Sequence, residues 1–175
     1  PCRLPYGVNE KASGGHPLSL KDANLSAYLQ ELDDMGVACL KLEGRMKRPE
    51  YVATVVGCYQ EAIQSVLDGT FTEENKDGWD ERLARVFNRG FWDGYYQGQT
   101  LGEWTTNYGS AATEKKVYVG KAIKYFSKLG VGEFQIEAAD MSVGDRLLVT
   151  GPTTGALFMD LEEVRYDLKP VETVG

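Results

Sequence analysis

The densest set of chemically capable side chains lies in Lys41-Leu42-Glu43-Gly44-Arg45-Met46-Lys47-Arg48. Lys41 and Arg45 are suited to holding an anionic substrate, the arginine through a planar fork that matches a carboxylate or phosphate. Glu43, between them, is a candidate general acid or base. Gly44 lets the backbone approach a ligand where a Cβ would be in the way. Lys41, Glu43 and Arg45 are therefore the catalytic candidates. Gly44, Lys47 and Arg48, with Arg89, Lys121 and Lys124 further along, are the substrate-binding candidates. The plainer reading is a Lys–Glu–Arg network that orients the loop, with Lys47 and Arg48 as solvated charge ahead of a helix.

The other reactive groups are sparse. Cys2, beside Arg3, is the candidate metal or cluster ligand, its partners lying upstream; the alternative is an isolated thiol. Cys39 and Cys58 read as small core residues. Three scattered cysteines make no disulfide framework, so the expectation is a cytoplasmic protein with reduced thiols. His16 is the single histidine, which excludes the usual zinc spacings, and no nucleophile elbow supports a Ser–His triad. Asn24-Leu25-Ser26 fits a glycosylation sequon, read as chance without a secretion signal.

A charged loop must be placed by regular elements. His16 to Leu20 reads as a short strand, and Ser19 or Asp22 as the cap of the helix after it. Leu25, Tyr28, Leu29, Leu32 and Met35 share one helical face, which Gly36 ends. Val37 to Leu42 reads as a buried strand, so the charged segment begins where a strand gives out. In parallel α/β folds that is the active face. Pro49 suits a first helical turn, and Val52, Val55, Val56, Tyr59, Ile63, Val66 and Leu67 then hold one face up to Gly69. Strand, helix, strand, helix is the order of parallel strands with helical crossovers. Residues 1–69 are thus expected to be the terminal βα units of an incomplete (β/α) barrel.

Residues 70–113 read as a connector. Thr70 to Gly78 is a polar linker, and a short helix over 79–87 follows, with Trp79, Leu83, Val86 and Phe87 on one side. Gly90, Gly94 and Gly98, with aromatics between, do not suit a helix interior and predict an aromatic loop. In residues 114–175 the period changes to two. Val117, Val119, Ala122 and Ile123, then Phe134 and Ile136, then 147–149 and 156–164 read as strands separated by glycine turns. The expected class is α/β followed by all-β, the latter a small barrel or sandwich.

Charge and composition narrow the function classes. Apolar residues make up 42% of the chain and charged residues 26%, an ordinary globular balance. No apolar run approaches the ~20 residues of a membrane span. A net charge of −7 argues against a chain dedicated to nucleic acid. Residues 114–132 are the exception, with five lysines against Glu114 alone. That edge, interleaved with Tyr118, Tyr125 and Phe126, could take RNA, or its lysines simply guard a strand edge. The opening Pro1-Cys2-Arg3-Leu4-Pro5 has no initiator Met and reads as the cut end of a longer polypeptide.

Several segments, in order, resemble the collagenase-like peptidase family. They are 17–22 (Pro-Leu-Ser-Leu-Lys-Asp), 40–47 (Leu-Lys-Leu-Glu-Gly-Arg-Met-Lys), 49–53 (Pro-Glu-Tyr-Val-Ala), 87–91 (Phe-Asn-Arg-Gly-Phe), 143–145 (Val-Gly-Asp) and 151–155 (Gly-Pro-Thr-Thr-Gly). The resemblance implies that a longer N-terminal α/β barrel precedes Pro1 and that residues 114–175 form a small β-barrel like those appended to translation factors. It implies a protease of undefined catalytic type. The alternative, also found in the family, is prephenate-dependent hydroxylation of tRNA or ribosomal RNA, or ubiquinone hydroxylation, with an iron–sulfur cluster held by cysteines. Asn24 stands where some relatives carry a cysteine. The expectation is a piece not catalytic or cluster-bearing by itself, partnered by the missing barrel, with a peptide or RNA as substrate. Exposed barrel units could also pair two copies.

Overall fold

The computed structural model describes residues 4–7 and 16–175. The chain forms two compact units, one ending at Glu114 and one over Lys115–Gly175.

In the first unit, β1 (Asp22–Ala23) leads through a 3-10 turn (Ser26–Tyr28) into α1 (Leu29–Asp34). Leu29 and Leu32 are buried, as their spacing requires, and Gly36 ends the helix with φ +79°. The helix entry is not capped by Asp22 or Ser19. Asn24 does the equivalent work one step earlier, accepting from the Ser26 amide at 3.1 Å. His16 to Leu20 is not a strand; it has only a bridge from Leu20 to Trp104.

Val37 to Leu42 is also not a strand. The segment is irregular and exposed except at Leu40, which is half-buried. A buried parallel strand needs neighbours on its edges, and no strand among the described residues pairs with this one. Cys39, expected in a core, is exposed for the same reason.

Helix α2 (Pro49–Leu67) starts on its proline and stops before Gly69, φ +67°. Its buried side is Cys58, Tyr59, Ala62, Ser65 and Val66. The large apolar stripe expected to be inside is turned partly outward, with Val52, Ile63 and Leu67 exposed. Small side chains decide this face because they admit close approach of α3 (Glu73–Arg85), whose Trp79 and Leu83 join the same core. That helix begins inside the stretch expected to be a linker. Thr72 caps it by accepting from the Asn75 amide at 3.3 Å, and Glu73 and Glu74 sit in the first turn, where the helix dipole favours them.

Gly90, Gly94 and Gly98 have φ of +81°, +67° and +80°, a region that disfavours residues with a Cβ. Between them β2 (Phe91–Trp92) pairs in parallel with β1, Asp22 opposite Phe91 and Ala23 opposite Trp92. The segment 19–24 is held on its other side by Lys21 and Thr105 amides, which donate to Glu103 and Ser19 carbonyls at 2.8 and 3.0 Å.

The second unit is all antiparallel ladders. Hairpin β3–β4 (Gly120–Phe126, Val131–Ile136) carries a bulge between Ala122 and Lys124. β5 (Met141–Ser142) pairs with the last strand, β10 (Thr173–Val174). Between them lie hairpin β6–β7 (Arg146–Gly151, Gly155–Asp160) and hairpin β8–β9 (Val164–Tyr166, Lys169–Val171). Met141 and Val164 are buried. The whole is a mixed α/β chain with several two-stranded sheets, and these do not close into a barrel among the described residues.

Candidate functional site

The charged loop 41–48 runs irregularly into α2 and is shaped by its own residues. The Glu43 carboxylate accepts from the Arg45 amide at 3.3 Å, and the Lys47 amide donates to the Gly44 carbonyl at 2.9 Å. A Cβ on Gly44 would stand 3.0 Å from Val52 Cγ2, so a side chain there would press on α2. The Lys47 ammonium sits 3.7 Å from the centre of the Phe87 ring and 5.1 Å from that of Tyr51. Lys41 and Arg45 are exposed and have no ion-pair partner among the described residues. Arg48, also exposed, is the extended residue before α2. The loop thus presents Lys41, Arg45 and Arg48 to solvent, uses Glu43 in its own turn and holds Lys47 inward.

Arg89 is engaged by Asp22. Its amide and Nε donate to the two oxygens of Asp22 at 2.9 and 3.0 Å, and its Nη2 adds a contact of 2.5 Å. Both guanidinium donors reach Oδ1 and the amide reaches Oδ2, and together they tie β1 to the start of β2. Burial pushes the Tyr51 hydroxyl above its ordinary pKa, the Asp22 and Glu43 carboxylates add to the rise, and Arg89 opposes it.

Lys121 and Lys124 lie in the other unit. Lys121 donates to Glu137 at 2.8 Å, and Tyr118 donates to the same carboxylate. These contacts hold Glu137 below the ordinary carboxylate range. The Lys124 ammonium is 4.6 Å from the Phe126 ring centre. The lysine edge is therefore less free than its count implies.

The sequence did not single out the network at Asn24. Its amide donates to Asp80 at 2.7 Å, and its carbonyl oxygen accepts from the Tyr59 hydroxyl at 3.2 Å. Ser26 Oγ also donates to Asp80, at 3.0 Å. The sequon asparagine is committed to holding the 3-10 turn before α1 against α2 and α3. Two concavities flank this frame, one of about 550 Å³ lined by Asp77, Asp80, Asp93 and Trp92, the other of about 200 Å³ beside Cys39 and Ile63. Neither is lined by Lys41, Glu43 or Arg45.

Cys2 lies outside the described residues. Among the described residues the two remaining cysteines stand apart. Cys58 is fully buried in the helical core and Cys39 is exposed on the irregular segment. No three His, Cys, Asp or Glu side chains gather for a metal among the described residues. No described helix is long and apolar enough to cross a membrane.

The sequence model of Peptidase family U32 matches residues 1–106, and the chain belongs to that family. It is 52% identical to a collagenase of Porphyromonas gingivalis over 98% of its own length and 43% of the relative's. An uncharacterized protease of Methanocaldococcus jannaschii is 29% identical over 98% of the chain and 44% of the relative. The tRNA hydroxylation protein P of Escherichia coli is 27% identical over 93% and 35%. The chain therefore spans less than half the length of these three relatives. No solved structure matches it.

Proposed function

We propose that this chain is the C-terminal portion of a collagenase-like peptidase, with loop 41–48 at the mouth of the site. The identity of 52% to the Porphyromonas collagenase over nearly the whole chain carries this reading. Lys41 and Arg45, exposed on an anchored loop, would orient a peptide through its carboxylate or carbonyl groups, and Glu43 would act on it as acid or base. The finer architecture belongs to the same proposal. Residues 1–69 supply terminal units of an α/β barrel that the rest of the polypeptide completes, covering the exposed Val37, Val52 and Ile63. Residues 114–175 act as a translation-factor-like barrel that presents substrate. The free thiols of Cys39 and Cys58 support a cytoplasmic location.

RNA hydroxylation is the second reading, supported by the tRNA hydroxylation relatives at lower identity. The two are separated by incubating the full-length protein with denatured collagen and with unmodified tRNA. New amino termini released from the collagen are the expected result. Hydroxylated tRNA with no peptide cleavage would overturn the peptidase reading.

A further inference from the structure

The segment Phe87-Asn88-Arg89-Gly90-Phe91 follows α3 directly, and its residues point to different neighbours. The buried Asn88 amide donates to the Ala84 and Val86 carbonyls at 3.2 and 3.0 Å, while its oxygen accepts from the Gly90 amide at 3.0 Å. Arg89 is fixed on Asp22, and Phe91 is fixed in the parallel pair with the same residue. Phe87 is therefore carried on a strap anchored on both sides. Its ring face lies 3.7 Å from the Lys47 ammonium, closer than Tyr51 at 5.1 Å. An aromatic face attracts a cation through its quadrupole, which an aliphatic side chain of similar size does not possess.

We infer that Phe87 is a positioning residue for loop 41–48: by holding the Lys47 ammonium it fixes where Lys41, Arg45 and Arg48 stand. Lys47 is then an anchor and not a substrate ligand. Its turn bond to Gly44 transmits the anchorage to the loop backbone. The consequence for peptide binding rests on the peptidase reading above; the anchorage itself does not.

Trypsin reads the anchorage directly, because cleavage after Lys47 requires the ammonium to leave the ring and enter the protease. Cutting after Lys47 in the native chain is compared with cutting after the exposed Lys128 in the other unit. Phe87→Leu should raise the ratio about three- to fivefold, the size of a half-exposed cation–aromatic contact, and Phe87→Trp should restore it. Should Phe87→Leu fail to fold, Lys47→Met should raise cutting after Arg45 by a similar factor. In the wild type, the Lys47 methylene protons next to the ammonium should resonate upfield from the ring current and lose that shift in Phe87→Leu. Unchanged cutting with no ring-current shift would overturn the inference, as would a Trp variant cut as fast as the Leu variant. In the full-length peptidase, Phe87→Leu should raise KM for peptide about threefold with kcat little changed. A full-length protein without peptidase activity counts against the function and leaves the trypsin and resonance results to decide the anchorage.

Discussion

Asp22 and Arg89, 67 positions apart, are joined by three hydrogen bonds, one to the arginine backbone and two to its guanidinium. The pair sets the start of β2 against β1 and so fixes the strap that bears Phe87. It is half-buried, with side-chain exposures of 28% for Arg89 and 23% for Asp22. Removing one partner leaves the other desolvated and unpaired.

Asp22→Ala should cost about 2 kcal/mol of unfolding free energy, the usual penalty for orphaning a charged hydrogen-bonding group. Glu73→Ala, which breaks an i,i+3 pair with Lys76 whose carboxylate is exposed, should cost no more than about 0.5 kcal/mol. Urea titration of both variants checks this; equal losses would mean that Asp22 does not bear the strap. Arg89→Lys should behave more like the alanine variant than like wild type, because a lysine cannot reproduce the fork.

The thiols should separate by reactivity. Cys39 is exposed and Cys58 is fully buried, with burial pushing its pKa up. In a Cys2→Ser background, an aromatic disulfide reagent should label one thiol at the rate of a free cysteine. The second should react only as fast as the protein opens. Two fast thiols would mean that the helical core is not formed as described.

Much of the first unit was legible because its signals are local. Leu29 and Leu32 repeat at helical spacing, Gly36 stops the run, and Gly90, Gly94 and Gly98 announce turns that no other residue fills as cheaply. The start of α3 was also readable, since Thr72 with Glu73 and Glu74 is a capping signal inside a stretch judged by polarity alone. The misreadings are non-local. Strand character in Val37–Leu42 depends on an edge to pair with, and hydrophobicity does not supply one. The inner face of α2 is set by Cys58, Ala62 and Ser65, which hydrophobic periodicity ranks below Ile63 and Leu67. For the site, the charged loop was visible as composition. That Arg89 belongs to Asp22, and Lys47 to Phe87, depends on contacts across the fold.

Stability should depend on acid through Glu61. Arg82 donates to both oxygens of this carboxylate, Nη2 at 2.9 Å, and Trp79 Nε1 donates at 3.3 Å. The hydrogen bond from Arg82 holds the Glu61 pKa below its ordinary value. A carboxylate depressed in the folded state stabilises fully above its unfolded pKa, about 4.3, and loses that contribution as pH falls through the folded value. Glu61→Gln should therefore flatten the acid limb of stability below about pH 4.3. With the group half-exposed, the change should be at most about 1 kcal/mol. Urea midpoints between pH 3 and 7 test it; parallel curves for the two proteins would contradict the assignment.

The central claim is that the exposed cations of loop 41–48 serve substrate and not the fold. The direct measurement pairs kcat/KM for peptide with Tm in full-length Lys41→Ala and Arg45→Ala. Loss of a charged contact to substrate predicts a fall in kcat/KM of roughly tenfold or more, about 1.5–3 kcal/mol, with Tm within about 1 °C of wild type, as for surface positions. Wild-type kcat/KM in both variants, or a Tm that falls in step with activity, would contradict it.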